Sequence, residues 1–271
     1  MDKNSLITSL IDLTQETGEV VMSYYQKGID SEKKSDGTPL TIVDQKAHDC
    51  IFRGLQKLTP DIPILSEESE DIPLSERQKW GKFWLVDPID GTRDFLEGND
   101  QFCICIALIE NHKPVIGLIY IPTSKTHYYS INENESFKFS EGLLQKISCK
   151  ETHSPEKILI GHHSSGNQKL IDFLEERSDY ELTEFGSAIK FCLIAEGLFD
   201  TYPRFGPCSE WDTAAGNCIL KNAGGSVKNV SGEELKYNTK DNFLSEAFIA
   251  SNSLRDKSIA LMFLVILPIE I

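Results

Sequence analysis

The residues of this chain best suited to chemistry lie in the run Trp84-Leu85-Val86-Asp87-Pro88-Ile89-Asp90-Gly91-Thr92. A hydrophobic stretch ends on a carboxylate, and Pro88 and Gly91 then turn the chain around a second one. Asp87 and Asp90 are three residues apart, so a tight turn can aim both at one point. Two carboxylates held that close repel each other unless cations lie between them. Hard oxygen donors of this kind suit magnesium, which keeps several of its waters and accepts phosphate oxygens from a substrate. The amides of Gly91 and Thr92 and the Thr92 hydroxyl follow directly, where a phosphate can be cradled. Taken alone, the segment also reads as a solvated Asp-Gly turn.

Two further acidic segments bear on that choice. Leu65-Ser66-Glu67-Glu68 places carboxylates at the end of a short apolar run. Glu210-Trp211-Asp212-Thr213-Ala214-Ala215-Gly216 places Asp212 where a helix begins, a position at which an aspartate is equally an ordinary N-cap. The small residues at 214–216 permit close approach to a neighbouring element, which capping alone does not require. Together the three segments favour a divalent-cation site for phosphate chemistry.

The elements that must position these groups follow from periodicity and breakers. Leu6, Leu10, Leu13, Val20, Val21 and Tyr24 recur at helical spacing, predicting a long surface helix over 6–25. Asp36-Gly37 and Pro39 break the pattern, so residues 31–40 form a loop or hairpin. A second helix is expected over 44–58, closed by Thr59-Pro60-Asp61. Strands are expected at 62–65, 82–87, 102–110 and 115–122, the last two joined by a turn at Asn111-His112-Lys113. Beyond residue 150 the pattern restarts, with strands at 157–161, 180–184 and 200–203 and helices at 168–177, 186–197 and 212–223. Alternating strands and helices in two regions, without a repeat or a long linker, give a layered α/β fold. Residues 1–271 read as a single unit, with a metal and phosphate half over about 1–150 and a substrate half over 151–271.

Composition narrows the partners. With 40% hydrophobic and 25% charged residues the chain can bury a core, and its net charge of −15 repels a polyanionic backbone. A nucleic-acid polymer is therefore not expected as a partner. The seven cysteines are scattered without a Cys-x-x-Cys pair, which supports neither a zinc site nor a disulfide framework and fits a reducing cytoplasm. Cys103 and Cys105 read as small hydrophobes of a buried strand. No signal-peptide core opens the chain. Residues 258–271 are almost all apolar, yet as a helix they would reach only about 21 Å, short of a bilayer core. That tail is expected to pack as a buried terminal element, with peripheral contact to the inner face of the membrane or a partner-binding role as the alternatives. His48, His112, His127, His153, His162 and His163 fall outside the acidic segments, and none is assigned to catalysis.

The combination of Glu67-Glu68, Asp87-Pro-Ile-Asp90-Gly-Thr92 and Trp211-Asp212-Thr-Ala-Ala-Gly216 resembles the inositol monophosphatase superfamily of lithium-sensitive phosphatases, over nearly the whole chain. The resemblance implies an αβαβα sandwich and two to three magnesium ions. By it, Glu67, Asp87 and the Ile89 carbonyl hold one ion, and Asp87, Asp90 and Asp212 a second. A third, weaker ion sits near Glu67 through water. Thr41-Ile42-Val43-Asp44 matches the family's Thr-x-x-Asp step, which implies that Asp44 orients Thr92 and that both act on the attacking water. Read without the family, Asp44 is a helix N-cap, and both roles are compatible.

The second half is similar to the CysQ-type 3'(2'),5'-bisphosphate nucleotidases within that superfamily, on Gly186-Ser187-Ala188-Ile189-Lys190 and on Tyr202-Pro203-Arg204-Phe205-Gly206-Pro207. The resemblance implies hydrolysis of the 3'-phosphate of adenosine 3',5'-bisphosphate, a by-product of sulfur metabolism, to AMP. Lys190 and Arg204 would clamp the phosphate that is kept, and Gly186-Ser187 the nucleoside, with Gly91 and Thr92 beside the reacting phosphate. Lys190 also reads as a snorkelling helix lysine. Ala188-Ile189 and Cys208-Ser209-Glu210 depart from the family pattern without touching the metal-ligand positions. The alternatives kept open are an inositol monophosphatase or other small sugar-phosphate phosphatase, and a non-catalytic nucleotide-binding regulator. A homodimer is a further expectation.

Overall fold

The computed structural model describes residues 2–25, 31–33, 39–69, 72–149, 152–162, 164 and 166–252. The apolar tail 258–271 and His163 lie outside the described residues. In chain order the elements are α1 (Lys3–Tyr25), β1 (Ser31–Lys33), β2 (Pro39–Thr41), α2 (Ile42–Leu58), β3 (Ile64–Ser66), α3 (Leu74–Arg77), β4 (Lys82–Asp90), α4 (Thr92–Glu97), β5 (Cys103–Glu110), β6 (Lys113–Ile121) and β7 (Thr126–Asn132). They continue with β8 (Glu135–Ser140), β9 (Leu143–Ile147), β10 (Glu156–Ile160), α5 (Gln168–Glu175), β11 (Tyr180–Glu184), α6 (Ile189–Ala195), β12 (Thr201–Arg204), α7 (Glu210–Asn222), β13 (Gly225–Asn229) and β14 (Phe248–Asn252).

Two mixed sheets organise the molecule. The larger runs β3-β4-β5-β6-β7-β8-β9, parallel only at β3/β4 and antiparallel elsewhere. The smaller runs β11-β10-β12-β14-β13, with β10 parallel to both neighbours and β14 antiparallel to both of its own. β1 and β2 form the antiparallel hairpin expected near residues 31–40.

Alternation along the strands decides the layering. On β4, Trp84 and Val86 face α1 and α2, joining Leu10, Val21, Val43, Ile51 and Leu55 in one core. Phe83 and Leu85 face the other way, into a core shared with α6, α7 and the smaller sheet through Phe191, Ala214, Ile219, Leu159 and Phe248. A sheet covered on both faces needs apolar residues at every position, which is why β4 and β5 read as continuous hydrophobic runs. α5 closes the outer face of the smaller sheet, packing Leu170 and Phe173 on Ile158, Ile160 and Ile249. The order is helices, sheet, helices, sheet, helix, an αβαβα sandwich.

The small residues of α7 have a packing reason. A Cβ on Gly216 would stand 2.3 Å from the Phe191 ring, so α6 and α7 approach as closely as they do only because glycine is there. Several regions differ from the expectations: α3 was not foreseen, and residues 186–188 precede α6 rather than opening it. Residues 92–97 form a short helix, 126–147 supply three strands of the larger sheet, and 225–229 with 248–252 complete the smaller one.

Candidate active site

β4 lies one strand in from the edge of the larger sheet, and a bulge near its end aims its two aspartates. Asp87 pairs with Cys105 and Asp90 with Cys103, so two residues of β4 lie opposite one of β5. Residues three apart on a regular strand face opposite sides, and the extra residue returns Asp90 to the side of Asp87. Gly91, at φ +92°, turns the chain into α4, where a Cβ would meet the Gln101 carbonyl oxygen at 2.9 Å. Asp212 comes from the first turn of α7. One carboxylate oxygen from each of Asp87, Asp90 and Asp212 lies within 4.8 Å of the others.

Asp212 is not the helix N-cap that the sequence left open. α7 begins two residues earlier, with Ser209 as N-cap, and Asp212 Oδ2 accepts the Ser209 N–H at 2.9 Å, the reach-back half of a capping box. Asp44 is likewise not a cap, because α2 starts at Ile42 and buries Asp44 in its first turn.

The electrostatics of the cluster ask for a cation. Burial, then Glu67, Asp90 and Asp212, push the Asp87 carboxyl well above the usual carboxylate range. Burial and Asp90 do the same to Asp212. Asp90 is raised by burial too, but Lys190 and the Ala188 amide draw it back. A compact set of oxygen donors, each favouring protonation for want of positive charge, fits a hard divalent cation with two or more carboxylate ligands. Glu67 stands at the end of β3, its N–H bonded to the Val86 carbonyl at 3.1 Å, and it faces the same cavity as Asp90 and Asp212.

That cavity measures about 860 Å³. Glu67, Asp90, Gly91, Thr92 and Asp212 line it together with Gly186, Ser187, Lys190 and Arg204, so these predicted site residues from both halves of the chain meet in one space. Asp87 lies buried beneath it. Ile89 and Asp44 are not on its wall, and the Ile89 carbonyl accepts the Thr92 hydroxyl at 3.1 Å.

Lys190 does not snorkel. It is 3% exposed, and its ammonium donates to the carbonyls of Phe185 at 2.9 Å and Ser187 at 2.6 Å while standing 4.9 Å from the Tyr202 ring centroid. Burial brings its pKa down to about 8, against the opposing pull of Asp90. Of three ammonium donors two are spent on backbone, which leaves one for a ligand. The lysine also braces residues 185–188, where Ser187 adopts φ +50°, a conformation costly for a non-glycine residue and concentrated at functional sites. Arg204 donates from Nη2 to the Pro207 carbonyl at 2.7 Å, and its buried Nε has no partner among the described residues.

Several cavity residues were not foreseen, among them Arg93, Asp94, Asn167 and His162. His162 sits on the wall, with Nε2 2.8 Å from Gln101 Oε1 and 3.5 Å from Asp94, and Nδ1 3.6 Å from Glu184. It follows strand β10 in a segment without a metal-ligand pattern, so no local signal marked it. All seven cysteines are free, and no helix among the described residues is long and apolar enough to cross a membrane.

Comparison with known proteins agrees with this architecture. A sequence model of the Inositol monophosphatase family matches residues 2–261. The 3'(2'),5'-bisphosphate nucleotidase CysQ of Salmonella typhimurium is 39% identical over 246 residues, covering 90% of this chain and 98% of its own. CysQ of Escherichia coli K12 is 37% identical over 249 residues, covering 91% and 99%. The crystal structure of CysQ from Bacteroides thetaiotaomicron superimposes with a TM-score of 0.79 at 33% identity, covering 92% of this chain and 97% of that one. Fold, site and sequence agree that the chain belongs to the inositol monophosphatase family, in its CysQ branch.

Proposed function

We propose that this chain is a magnesium-dependent phosphatase that removes the 3'-phosphate of adenosine 3',5'-bisphosphate, giving AMP and phosphate. The observation that carries the reading is one cavity holding a carboxylate cluster beside Lys190 and Arg204, the latter with an unpaired buried Nε. A doubly phosphorylated substrate needs cations for the phosphate that is kept as well as metal for the one that is cleaved. The names of the relatives at 37–39% identity support the same substrate class.

In this reading Glu67, Asp87 and the Ile89 carbonyl would hold one magnesium ion, and Asp87, Asp90 and Asp212 would hold a second. Bound there, magnesium would acidify a water and offset charge on the transferring phosphate. The remaining work belongs to the chain. Thr92 would orient the attacking water, with Asp44, off the cavity wall, acting through Thr92 to take up the proton, and the Gly91 turn sets Thr92 at the start of α4. The free Lys190 donor and the Arg204 fork bind the 5'-phosphate, and Gly186 and Ser187 face the nucleoside. No side chain is required to form a covalent bond with phosphate.

Phosphate release tests the scheme directly. Asp90→Asn and Asp212→Asn are each expected to lower kcat/KM by at least about a hundredfold, roughly 2.7 kcal/mol, and to raise the magnesium requirement. An active Asp212→Asn enzyme with unaltered magnesium dependence refutes the metal assignment.

A further inference from the structure

Cys103 and Cys105 lie against the carboxylate cluster without a part in it. Both are buried, and the bulge in β4 returns Asp90 to their side of the sheet. Their sulfurs are 3.7 Å apart, and Cys103 Sγ is 3.9 Å from Asp90 Oδ2, which also accepts the Ala188 N–H. All three donor atoms lie within 4.8 Å of one another. Side chains two apart on a strand share a face, but sulfurs in contact also require rotamers turned toward each other. A tetrahedral zinc with Zn–S bonds of about 2.3 Å separates two sulfurs by about 3.8 Å, the spacing found here.

Magnesium has no use for sulfur donors, whereas zinc and cadmium prefer them. We propose that Asp90, Cys103 and Cys105 form a site for a thiophilic divalent cation, zinc or cadmium, which inhibits the enzyme by withdrawing Asp90 from the magnesium cluster. Binding replaces both thiol protons, which pass to solvent, with two metal–sulfur bonds, and no electron changes hands. Asp90 completes three protein ligands and lines the catalytic cavity, so the fourth position opens toward water there. A zinc ion held this way denies the magnesium cluster one of its carboxylates. The inhibitory half rests on the proposed magnesium-dependent activity, and the binding half does not.

The test is titration of the reduced full-length chain with cadmium, followed by the ultraviolet thiolate-to-cadmium charge-transfer band, alongside zinc inhibition of phosphate release at saturating magnesium. One equivalent of band is expected in the wild type. It should be lost in Cys103→Ala, Cys105→Ala and the near-isosteric Cys105→Val, and kept in Cys208→Ala, whose thiol lies near Asp212. The same three variants should need at least about tenfold more zinc for half-inhibition. No band in the wild type overturns the site whatever the variants do. A band lost only in Cys208→Ala overturns the ligand assignment, and zinc inhibition unchanged in variants that lose the band overturns the inhibitory role. A band that follows Cys103 and Cys105 in a chain inactive on the bisphosphate upholds the site and counts against the proposed activity alone.

Discussion

Arg77→Met isolates the support behind Asp212. Arg77 is 1% exposed. Its Nε donates to the Ile72 carbonyl at 3.0 Å, Nη1 to Asn238 Oδ1 at 2.6 Å, and Nη2 to the carbonyls of Lys240 at 2.8 Å and of Asp241. The guanidinium also stands 4.4 Å over the Phe243 ring. From this loop the Asn238 N–H donates to Glu210 Oε2 at 2.6 Å, the Phe243 carbonyl accepts the Glu210 N–H at 2.7 Å, and Phe243 packs on Trp211 at 5.2 Å. One side chain thus ties residues 238–243 to the first turn of α7, which carries Asp212. Methionine keeps much of the apolar volume and removes all four donations. At about 1–3 kcal/mol for each buried acceptor left unpaired, with relaxation and water sparing those near the surface, the expected loss of stability is about 3–5 kcal/mol. The loosened first turn should also raise the magnesium concentration for half-maximal activity by about tenfold. Urea unfolding and a magnesium titration of phosphate release read the two effects. A stability loss below about 1 kcal/mol refutes the packing argument. A destabilised enzyme with unchanged magnesium dependence refutes the link to Asp212.

Three further outcomes follow from particular contacts. His127 is buried and stacked on Tyr120 at 4.1 Å, and burial brings its pKa from 6.5 down to about 4. The unfolded chain therefore binds the extra proton first as pH falls, so stability should drop by about 3 kcal/mol between pH 6.5 and 4. His127→Phe should flatten that part of the profile in urea titrations against wild type. Lys190→Met should raise KM for adenosine 3',5'-bisphosphate by about tenfold or more while changing KM for adenosine 3'-monophosphate much less. Gly216→Ala, which forces a methyl toward the Phe191 ring, should cost about 1–3 kcal/mol in urea unfolding.

Much of the frame was legible because it depends on local pattern. The apolar stripe of α1, the Thr59-Pro60 stop after α2 and the continuous runs of β4 and β5 are properties of short windows, and so is the Asp87–Asp90 spacing. What escaped reading depends on partners distant in sequence. Strand β7 is polar in composition though buried at all but its last position, β8 is mostly half-buried and β9 has its first four positions exposed, so they become strands by pairing in turn outward from β6. α4 has six residues, too few to show a helical period. The start of α7 was placed two residues late, because an aspartate at the third position of a capping box reads like an N-cap until Ser209 is known to be the cap. The bulge that brings Asp90 to the side of Asp87, and Cys103 and Cys105 with it, is a register effect between β4 and β5. His162 reaches the cavity through β10, whose position in the sheet no window of sequence contains.

The most direct test of the central claim is magnesium-dependent phosphate release from adenosine 3',5'-bisphosphate, inositol 1-phosphate and fructose 1,6-bisphosphate compared on one enzyme preparation. The arrangement of Lys190 and Arg204 beside the carboxylate cluster predicts a preference for the nucleotide in kcat/KM on the order of a hundredfold, about 2.7 kcal/mol of transition-state discrimination. A preference for inositol 1-phosphate would contradict the roles given to Lys190 and Arg204, and release from none of the three would contradict the claim that the cavity is a phosphatase site.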